Sequence, residues 1–530
     1  MNKQLFVFLS IIIITVSGYS QTTFQQIYQR NTAQGFAGQQ TNDGGYITSG
    51  LVTVTSTNYD YLVVKTNANG DTSWTKTYGG IGDDESYALQ QTTDGGYIFA
   101  GIDSSSGLGN YNVYLVKTNA GGDTLWTKSY GGSGTDFAQA VQQTADGGYI
   151  VVGYTSSFGA GNGDVYLLKT DANGNLTWSK TYGGTQGDYG YAVKQTADGG
   201  YVVTGITSSF GVTPYGNLND IYLLKINSTG TLTWSKTYGK GGDDWGFGVV
   251  QTYDGGYAIT GHTQTDSLDT YSELCLIKTD VSGDTLFTKS FGGTNFNKGL
   301  AIVQTSDSGL AIGGSSYSFG HGASDFYLLK TNKNGSMLFN STFGGNGDDI
   351  AYAIAQTADS GFVLSGYTQS YSVDSSSFYL VKTDKKGNSD SCNQTHPVPT
   401  IINGVAIINN PATISGNPAT ITAHNTHTVL KSGVSTLNIC PQSLGIKQIS
   451  NNKYQFMVYP NPSNGNMTLK TDNLIDNVQL TIYNQLGQVV FKKQLTNQLT
   501  NINLDVNSGV YQVRILSGSE LIYQTKIIKE

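Results

Sequence analysis

Charge is scarce in this chain. Asp, Glu, Lys and Arg make up 12% of 530 residues, against about a quarter in an ordinary soluble protein. The balance is acidic, with a net charge of −8, and no lysine- or arginine-rich stripe exists. That excludes the electrostatic footprint of a nucleic-acid binder. Arginine stands at Arg30 and Arg514 alone, too few for a site that grips an anionic substrate with several bidentate forks. Proline is rare (8) and cysteine rarer (3). Cys275, Cys392 and Cys440 show no C-x-x-C spacing, so a zinc site of that kind is absent. Cys392 and Cys440 bracket one segment and are the pair open to disulfide formation in an oxidising compartment, whereas Cys275 sits inside a strand pattern as a buried thiol. His262, His321, His396, His424 and His427 form no H-E-x-x-H, and no Ser or Cys has the local setting of a catalytic nucleophile. No apolar spacing of 3.6 residues marks a helix.

What the chain does have in quantity is Gly (69) and Tyr (35), a composition for short strands and tight turns. It starts "MNKQLFVFLSIIIITVSGYSQ", with Lys3 before an apolar run from Leu5 to Val16 and small residues near Ser20. This is the pattern of a secretory signal peptide over residues 1–20, too short for a membrane span. No other stretch is apolar enough to cross a bilayer, so the mature chain is expected outside the cell without a transmembrane segment.

The segment "QTADGGYIVVGYTSSFG" from Gln143 returns at Gln195 as "QTADGGYVVTGITSSFG", with looser copies from Gln40, Gln91, Gln251, Gln304 and Gln356. Its turn aspartates are Asp43, Asp94, Asp146, Asp198, Asp254, Asp307 and Asp359, spaced 51, 52, 52, 56, 53 and 52 residues apart. Periods near 50 mean stacked units or a propeller. Each unit reads as four short strands, and the middle two, such as "YIVVGY" and "VYLLKT", are apolar on both faces. A half-wet sheet would alternate; a propeller blade, covered on both sides, would not. Trp74, Trp126, Trp178, Trp234, Phe287 and Phe339 each stand 20 residues before the next turn Asp and nine after a Lys. Length therefore varies between the second and third strands, which places that loop in solvent. The Lys is expected to pair with Asp60, Asp164, Asp220 or Asp325, five residues before it in the respective units.

The seventh unit has three good strands and Ser391 where an aromatic belongs. Phe24 stands 19 residues ahead of Asp43, so the N-terminal "FQQIYQR" is expected to supply the missing outer strand and close a ring of seven four-stranded blades. From Phe24 to about Asn388 the units resemble the β-propeller repeats of secreted bacterial surface proteins.

After Lys385 the texture changes. Residues 390–453 are Asn-, Thr- and Pro-rich and read as a short-stranded connector following a propeller over residues 21–389. Residues 454–530 hold seven strand-like runs with Gly-containing turns, the pattern of a small Ig-like β-sandwich. "VYPNPSNG" (Tyr459, Pro460, Asn461, Pro462, Gly465), "IYNQLGQVV" (Gly487), "SGVYQVRI" (Gly509, Tyr511) and the terminal "KIIKE" resemble the type A C-terminal sorting domain of type IX secretion cargo. That resemblance implies passage through the outer membrane of a Bacteroidota-type cell by the type IX machinery. It further implies removal of the domain, and cargo released or held at the surface.

Candidate site residues follow from the repeat. Ten residues before the turn aspartates stand Asp84, Asp136, Asp188, Asp244, Asn297 and Asp349, with Ala33 in the first unit. They begin the innermost strands. Oxygen ligands there suit a hard cation such as Ca2+; the competing and stronger reading is that each caps its own loop. No other cofactor is expected. Trp245 follows Asp243-Asp244 on the face that carries the variable loops, and Tyr215 lies in the longest of those loops, Thr207 to Asp220. Aromatic rings beside carboxylates suit a glycan, while a packed strand-start aromatic is the plainer reading of Trp245. The function these residues favour is non-enzymatic recognition of a glycan or a protein. Two alternatives stand beside it: a hydrolase of polysaccharide or peptide with a scattered site at the channel mouth, and a structural surface-layer component.

Overall fold

The computed structural model describes residues 21–55, 58–105, 110–211, 218–264, 271–372, 375–389, 393–404, 407–409, 414–416, 421–422, 429–431, 435–438, 456–459, 463–471, 478–484, 488–517 and 520–529. Among them there is no helix. The chain divides into two compact units, Met1–Cys440 and Pro441–Glu530. The signal peptide, Tyr215, Cys392 and Cys440 lie outside the described residues.

Each repeat folds as an antiparallel meander. In the third sheet the strands are Asp136–Gln143, Tyr149–Thr155, Asp164–Thr170 and Leu176–Gly183, hydrogen-bonded in sequence order. Every residue of its two middle strands is buried, as their unbroken apolar pattern requires. The D-G-G turn works through two different glycines. Gly147 takes a positive φ of 84°, and at Gly148 a Cβ would stand 2.1 Å from the Thr170 carbonyl oxygen. In the D-S-G turns Ser308 and Ser360 accept the positive φ themselves (66° and 67°). The turn Asp then serves the buried strand Lys: Lys169 Nζ lies 2.8 Å from Asp146, and the same pair recurs in all seven sheets, from Lys65–Asp43 to Lys382–Asp359. The expected pairing with Asp60, Asp164, Asp220 or Asp325 is thus corrected. A residue five earlier on a strand points to the opposite face, whereas the turn sits at the end of the adjoining strand where the ammonium emerges.

Successive sheets are stapled in the same way each time. The Gln ending each innermost strand accepts a hydrogen bond from a turn N–H of the preceding sheet: Gln91 from Asn42, Gln143 from Thr93, Gln195 from Ala145, Gln251 from Ala197 and Gln304 from Tyr253, all at 2.8 Å, and Gln356 from Ser306 at 2.9 Å. The series returns to its start: Gln40 accepts from Ala358 N–H at 2.8 Å. Outer-strand tyrosines do likewise, with Tyr78 donating to Gly122 O at 2.6 Å and Tyr182 to Gly230 O at 2.7 Å. The strand Phe24–Gln29 pairs with Ser377–Thr383 of the seventh sheet, Phe24 opposite Lys382 and Tyr28 opposite Phe378. It makes the staples of any outer strand: Tyr28 donates to Gly70 O at 2.7 Å, and Phe24 meets Tyr46 at 5.4 Å as Trp74 meets Tyr97 at 6.0 Å. The arrangement is propeller-like.

The stretch after the repeats adds a fifth strand to every sheet. Gln394–Thr395 pairs with the outer strand of the sixth sheet, Thr400–Gly404 of the fifth, Ile407–Asn409 of the fourth and Ile414–Gly416 of the third. Ile421–Thr422, Val429–Lys431 and Ser435–Asn438 then pair with the second, first and seventh. This strap visits the sheets in reverse order and covers seven edges whose unpaired N–H and C=O groups would otherwise template association.

The second unit comprises a three-stranded sheet (Phe456–Tyr459, Asn466–Thr471, Leu499–Asn503) and a four-stranded one (Val478–Tyr483, Val489–Leu495, Gly509–Ser517, Glu520–Lys529). Met467, Leu469 and Ile502 from one meet Leu480, Ile482, Val513 and Ile515 from the other in a single core.

Candidate functional site: the loop face at the start of the inner strands

Asp84, Asp136, Asp188, Asn297 and Asp349 begin innermost strands and Asp244 immediately precedes one, while the first sheet has Ala33 there; all six polar side chains are buried. Asp84 accepts from Gly80 N–H, Asp136 from Gly132, Asp188 from Gly184 and Asp244 from Lys240, all at 2.8 Å, and Asp349 from Gly345 at 2.9 Å. Serines of the second-to-third loop donate to the same oxygens: Ser157 to Asp136 at 2.6 Å, Ser209 to Asp188 at 2.7 Å, Ser370 to Asp349 at 2.6 Å. Asn297 occupies the same place and donates to Ser318 at 2.8 Å. The loop that enters a sheet from the preceding one and that sheet's second-to-third loop are thereby tied to one carboxylate. The first members of the acidic pairs tie neighbouring sheets instead: Asp243 accepts from Asn219 N–H at 3.0 Å and Asp348 from Ser324 at 3.2 Å. Among the described residues no three His, Cys, Asp or Glu side chains gather as a metal-holding group.

Burial raises the pKa of Asp84, Asp188, Asp244 and Asp349. It pushes Asp244 up to about 7, with Asp220 adding to it, and Asp349 up to about 6. Asp84 rises furthest, to about 8, through burial and then the Asp103 and Asp60 carboxyls beside it. The Asp103 carboxyl is there because of a break in the repeat. Thr155 and Thr263 donate hydroxyls to Asp136 and Asp244, and Ser316 donates to Asn297 at 2.6 Å. Asp103 stands at that position opposite Asp84.

The residues after the caps point the other way, toward the space the inner strands surround. Phe36, Tyr87, Tyr191, Phe247, Leu300 and Tyr352 line a cavity there. Around its mouth the rings of the third to fifth sheets form two stacks. Phe137 lies 5.1 Å from Tyr154, which stacks on Tyr189 at 4.4 Å and 7°. Trp245 lies 6.1 Å from Tyr191 at 21° and 5.7 Å from His262 at 24°. Phe137, Tyr189, Tyr191 and Trp245 remain partly exposed. His262 is buried, its pKa driven down to about 3 by burial and by Lys298, so it is a neutral ring of this stack. Of the aromatic candidates, Trp245 belongs to this arc. Phe137, Tyr189 and Tyr191 are marked in the sequence by their place one or three residues after a cap aspartate, whereas Tyr154, on the second strand of its sheet, carries no such mark.

In the second unit Tyr511 donates to Asn507 O at 2.6 Å. Gly465 has φ 106°, and a Cβ there would stand 2.7 Å from Leu504 O. Tyr459 is exposed and Gly509 partly so, while Pro460, Asn461, Pro462 and Gly487 lie outside the described residues. Residues 457–530 match the secretion system C-terminal sorting domain family. The C-terminal unit is a sorting domain. With it the chain carries the address of type IX export, to the cell surface or beyond. No helix among the described residues is long and apolar enough to span a membrane.

The chain aligns over 92% of its length with PorZ, an essential surface component of the type IX secretion system of Porphyromonas gingivalis, at 11% identity and a TM-score of 0.36. It spans 58% of that protein. Sqt1 from Chaetomium thermophilum aligns over 71% of this chain and 87% of its own, at 11% identity and a TM-score of 0.39. No curated protein sequence matches the chain.

Proposed function

We propose that this exported protein is a seven-bladed β-propeller that recognises a glycan or a protein without catalysis, carried out of the cell by a C-terminal Ig-like sandwich that is afterwards removed. Seven blades are supported by the cyclic series of Gln staples, which closes between Gln40 and Ala358. The observation that carries recognition is the partly exposed arc of Phe137, Tyr189, Tyr191 and Trp245. Rings held rigid by stacking offer apolar area at little entropic cost. The cap aspartates serve this reading as scaffolding: they hold the loops around the arc and are themselves out of reach of a ligand. The test is a glycan and polysaccharide array probed with the exported protein, alone and with chelator, beside Tyr189→Ala and Trp245→Ala. Binding lost in both variants and indifferent to chelator is the expected result. An array silent to the wild type, together with no retained protein partner on the cell surface, would overturn the reading.

A further inference from the structure

The inner strands wall the central cavity in layers, and one layer breaks the repeat. Three residues after the cap position come Phe36, Tyr87, Tyr191, Phe247, Leu300 and Tyr352. One residue further, every sheet has Ala or Gly, from Ala37 through Gly248 to Ala353, and all of these line the cavity. Two residues beyond that waist, the first three sheets carry Gln39, Gln90 and Gln142, the fourth carries Lys194, and the last three carry Val250, Val303 and Ala355. The small side chains of the waist leave room. Water centres can occupy about 220 Å³ of the cavity, more than the roughly 150 Å³ of an apolar cavity that holds benzene.

Of the residues that line this space, Lys194 alone carries a charge. Protein surrounds its ammonium on every side, which lowers its pKa, and no acidic group offsets that effect. Water inside the cavity still reaches the side chain. The buried strand lysines each have an aspartate, as Lys169 has Asp146; among the described residues Lys194 has neither an ion pair nor a hydrogen bond. The amides that precede it in the layer are donors as well. Gln142 Oε1 accepts from Gln195 N–H at 2.7 Å, which sets that amide beside the Lys194 backbone, and Gln90 Oε1 accepts from Gln143 N–H at 2.5 Å. With the oxygens engaged, the Nε2 groups are left to donate, and neither has an acceptor among the described residues. An enclosed cation flanked by donors and without a counter-charge is unfavourable until an anion joins it.

We infer that the central cavity binds a medium-chain monocarboxylate, its carboxylate held by Lys194 and the Gln142 amide and its alkyl chain running along the Ala waist toward the ring layer. The ring layer lies three residues along the strand from the donors, about 10 Å at the usual rise, which is the reach of an extended eight-carbon chain. Val250, Val303 and Ala355 give the layer opposite the donors an apolar side. One ammonium matches one carboxylate; a second negative charge would enter apolar walls unpaired. This site lies inside the cavity, shares only Tyr191 with the aromatic arc, and does not depend on what the arc binds.

The experiment is fluorine NMR of ω-trifluorooctanoate with the full-length exported protein. Saturable line broadening is expected with the wild type. It should weaken at least tenfold in Lys194→Gln, which carries the residue that the second and third sheets use at this place. Lys194→Met keeps the length without the charge and gives the same reading where Lys194→Gln fails to fold. The neutral ω-trifluorooctanol and the shorter ω-trifluorobutanoate should each bind the wild type several-fold more weakly than the octanoate. No saturable broadening with the wild type would overturn the inference, as would equal broadening in the Lys194 variants. An alcohol as strong as the acid would remove the role of the ammonium, and a butanoate as strong as the octanoate would remove that of the apolar wall; either result overturns it too.

Discussion

Removing one ring from the N-terminal strand tests whether that strand closes the molecule. Phe24 is fully buried and packs on Tyr46 of the first sheet at 5.4 Å, while its strand pairs with the seventh. Phe24→Ala therefore opens a hole in the seam between the last sheet and the first. Truncating a buried Phe costs about 3–5 kcal/mol. Unfolding entropy near 2.1 cal/mol/K per residue, over roughly 400 residues, is about 0.8 kcal/mol/K, so Tm should fall by about 4–6 °C. Phe339→Ala, at the same place in the sixth sheet, is the comparison, since Phe339 meets Phe362 at 6.2 Å. Scanning calorimetry of the two variants should show Phe24→Ala destabilising at least as much as Phe339→Ala, within one cooperative transition. A shift under about 1 °C for Phe24→Ala would mean the strand is an appendage, and the closed-ring argument would fall.

Other perturbations probe the repeat's electrostatics and edges. Between the ordinary carboxylate range and about 8, the folded chain holds a proton on Asp84 that the unfolded chain releases, so stability is greatest at the acid end of that window and declines as pH rises through it. Asp103→Thr restores the hydroxyl donor of the sister sheets and removes a like charge; the fall in Tm between pH 5 and pH 8 should become shallower, and an unchanged or steeper fall would refute the assignment. In the Lys169–Asp146 pair the lysine side chain is 6% exposed and the aspartate 64%, so removing the acid strands a buried charge while removing the base does not. Asp146→Asn should cost about 2 kcal/mol in urea melts and Lys169→Met under about 1 kcal/mol; the reverse order would contradict the burial argument. The strap strands are two to five residues long and pair along one edge, so their amides should exchange faster in hydrogen-exchange mass spectrometry than those of the outer strands they cover. Equal protection would show the strap to be part of the cooperative core.

Much of the first unit is local and repeats, and so it could be read from the chain. Two-faced apolar runs form doubly covered strands, D-G-G marks each turn, and a 20-residue interval from Trp to Asp fixes the same meander each time. The missing aromatic at Ser391 and the spare one at Phe24 foretold that the N-terminal strand pairs with the seventh sheet, and an Asp after a Gly-rich loop foretold a cap. What could not be read depends on contacts between distant segments. Lys169 finds Asp146 because a hairpin folds the turn back over the strand end, not because of spacing along one strand. The strap has no pattern of its own: Gln394–Thr395 or Ile421–Thr422 becomes a strand only because an open edge lies beside it. Tyr154 and Tyr189 stack across two sheets, and the Gln142 amide comes beside Lys194 only because the next sheet stands against its own. Periodicity along the chain determined the sheets; the seams, the outer edges and the mouth were decided only when the sheets came together, since burial and hydrogen-bond satisfaction there belong to pairs of units that no single stretch of sequence contains.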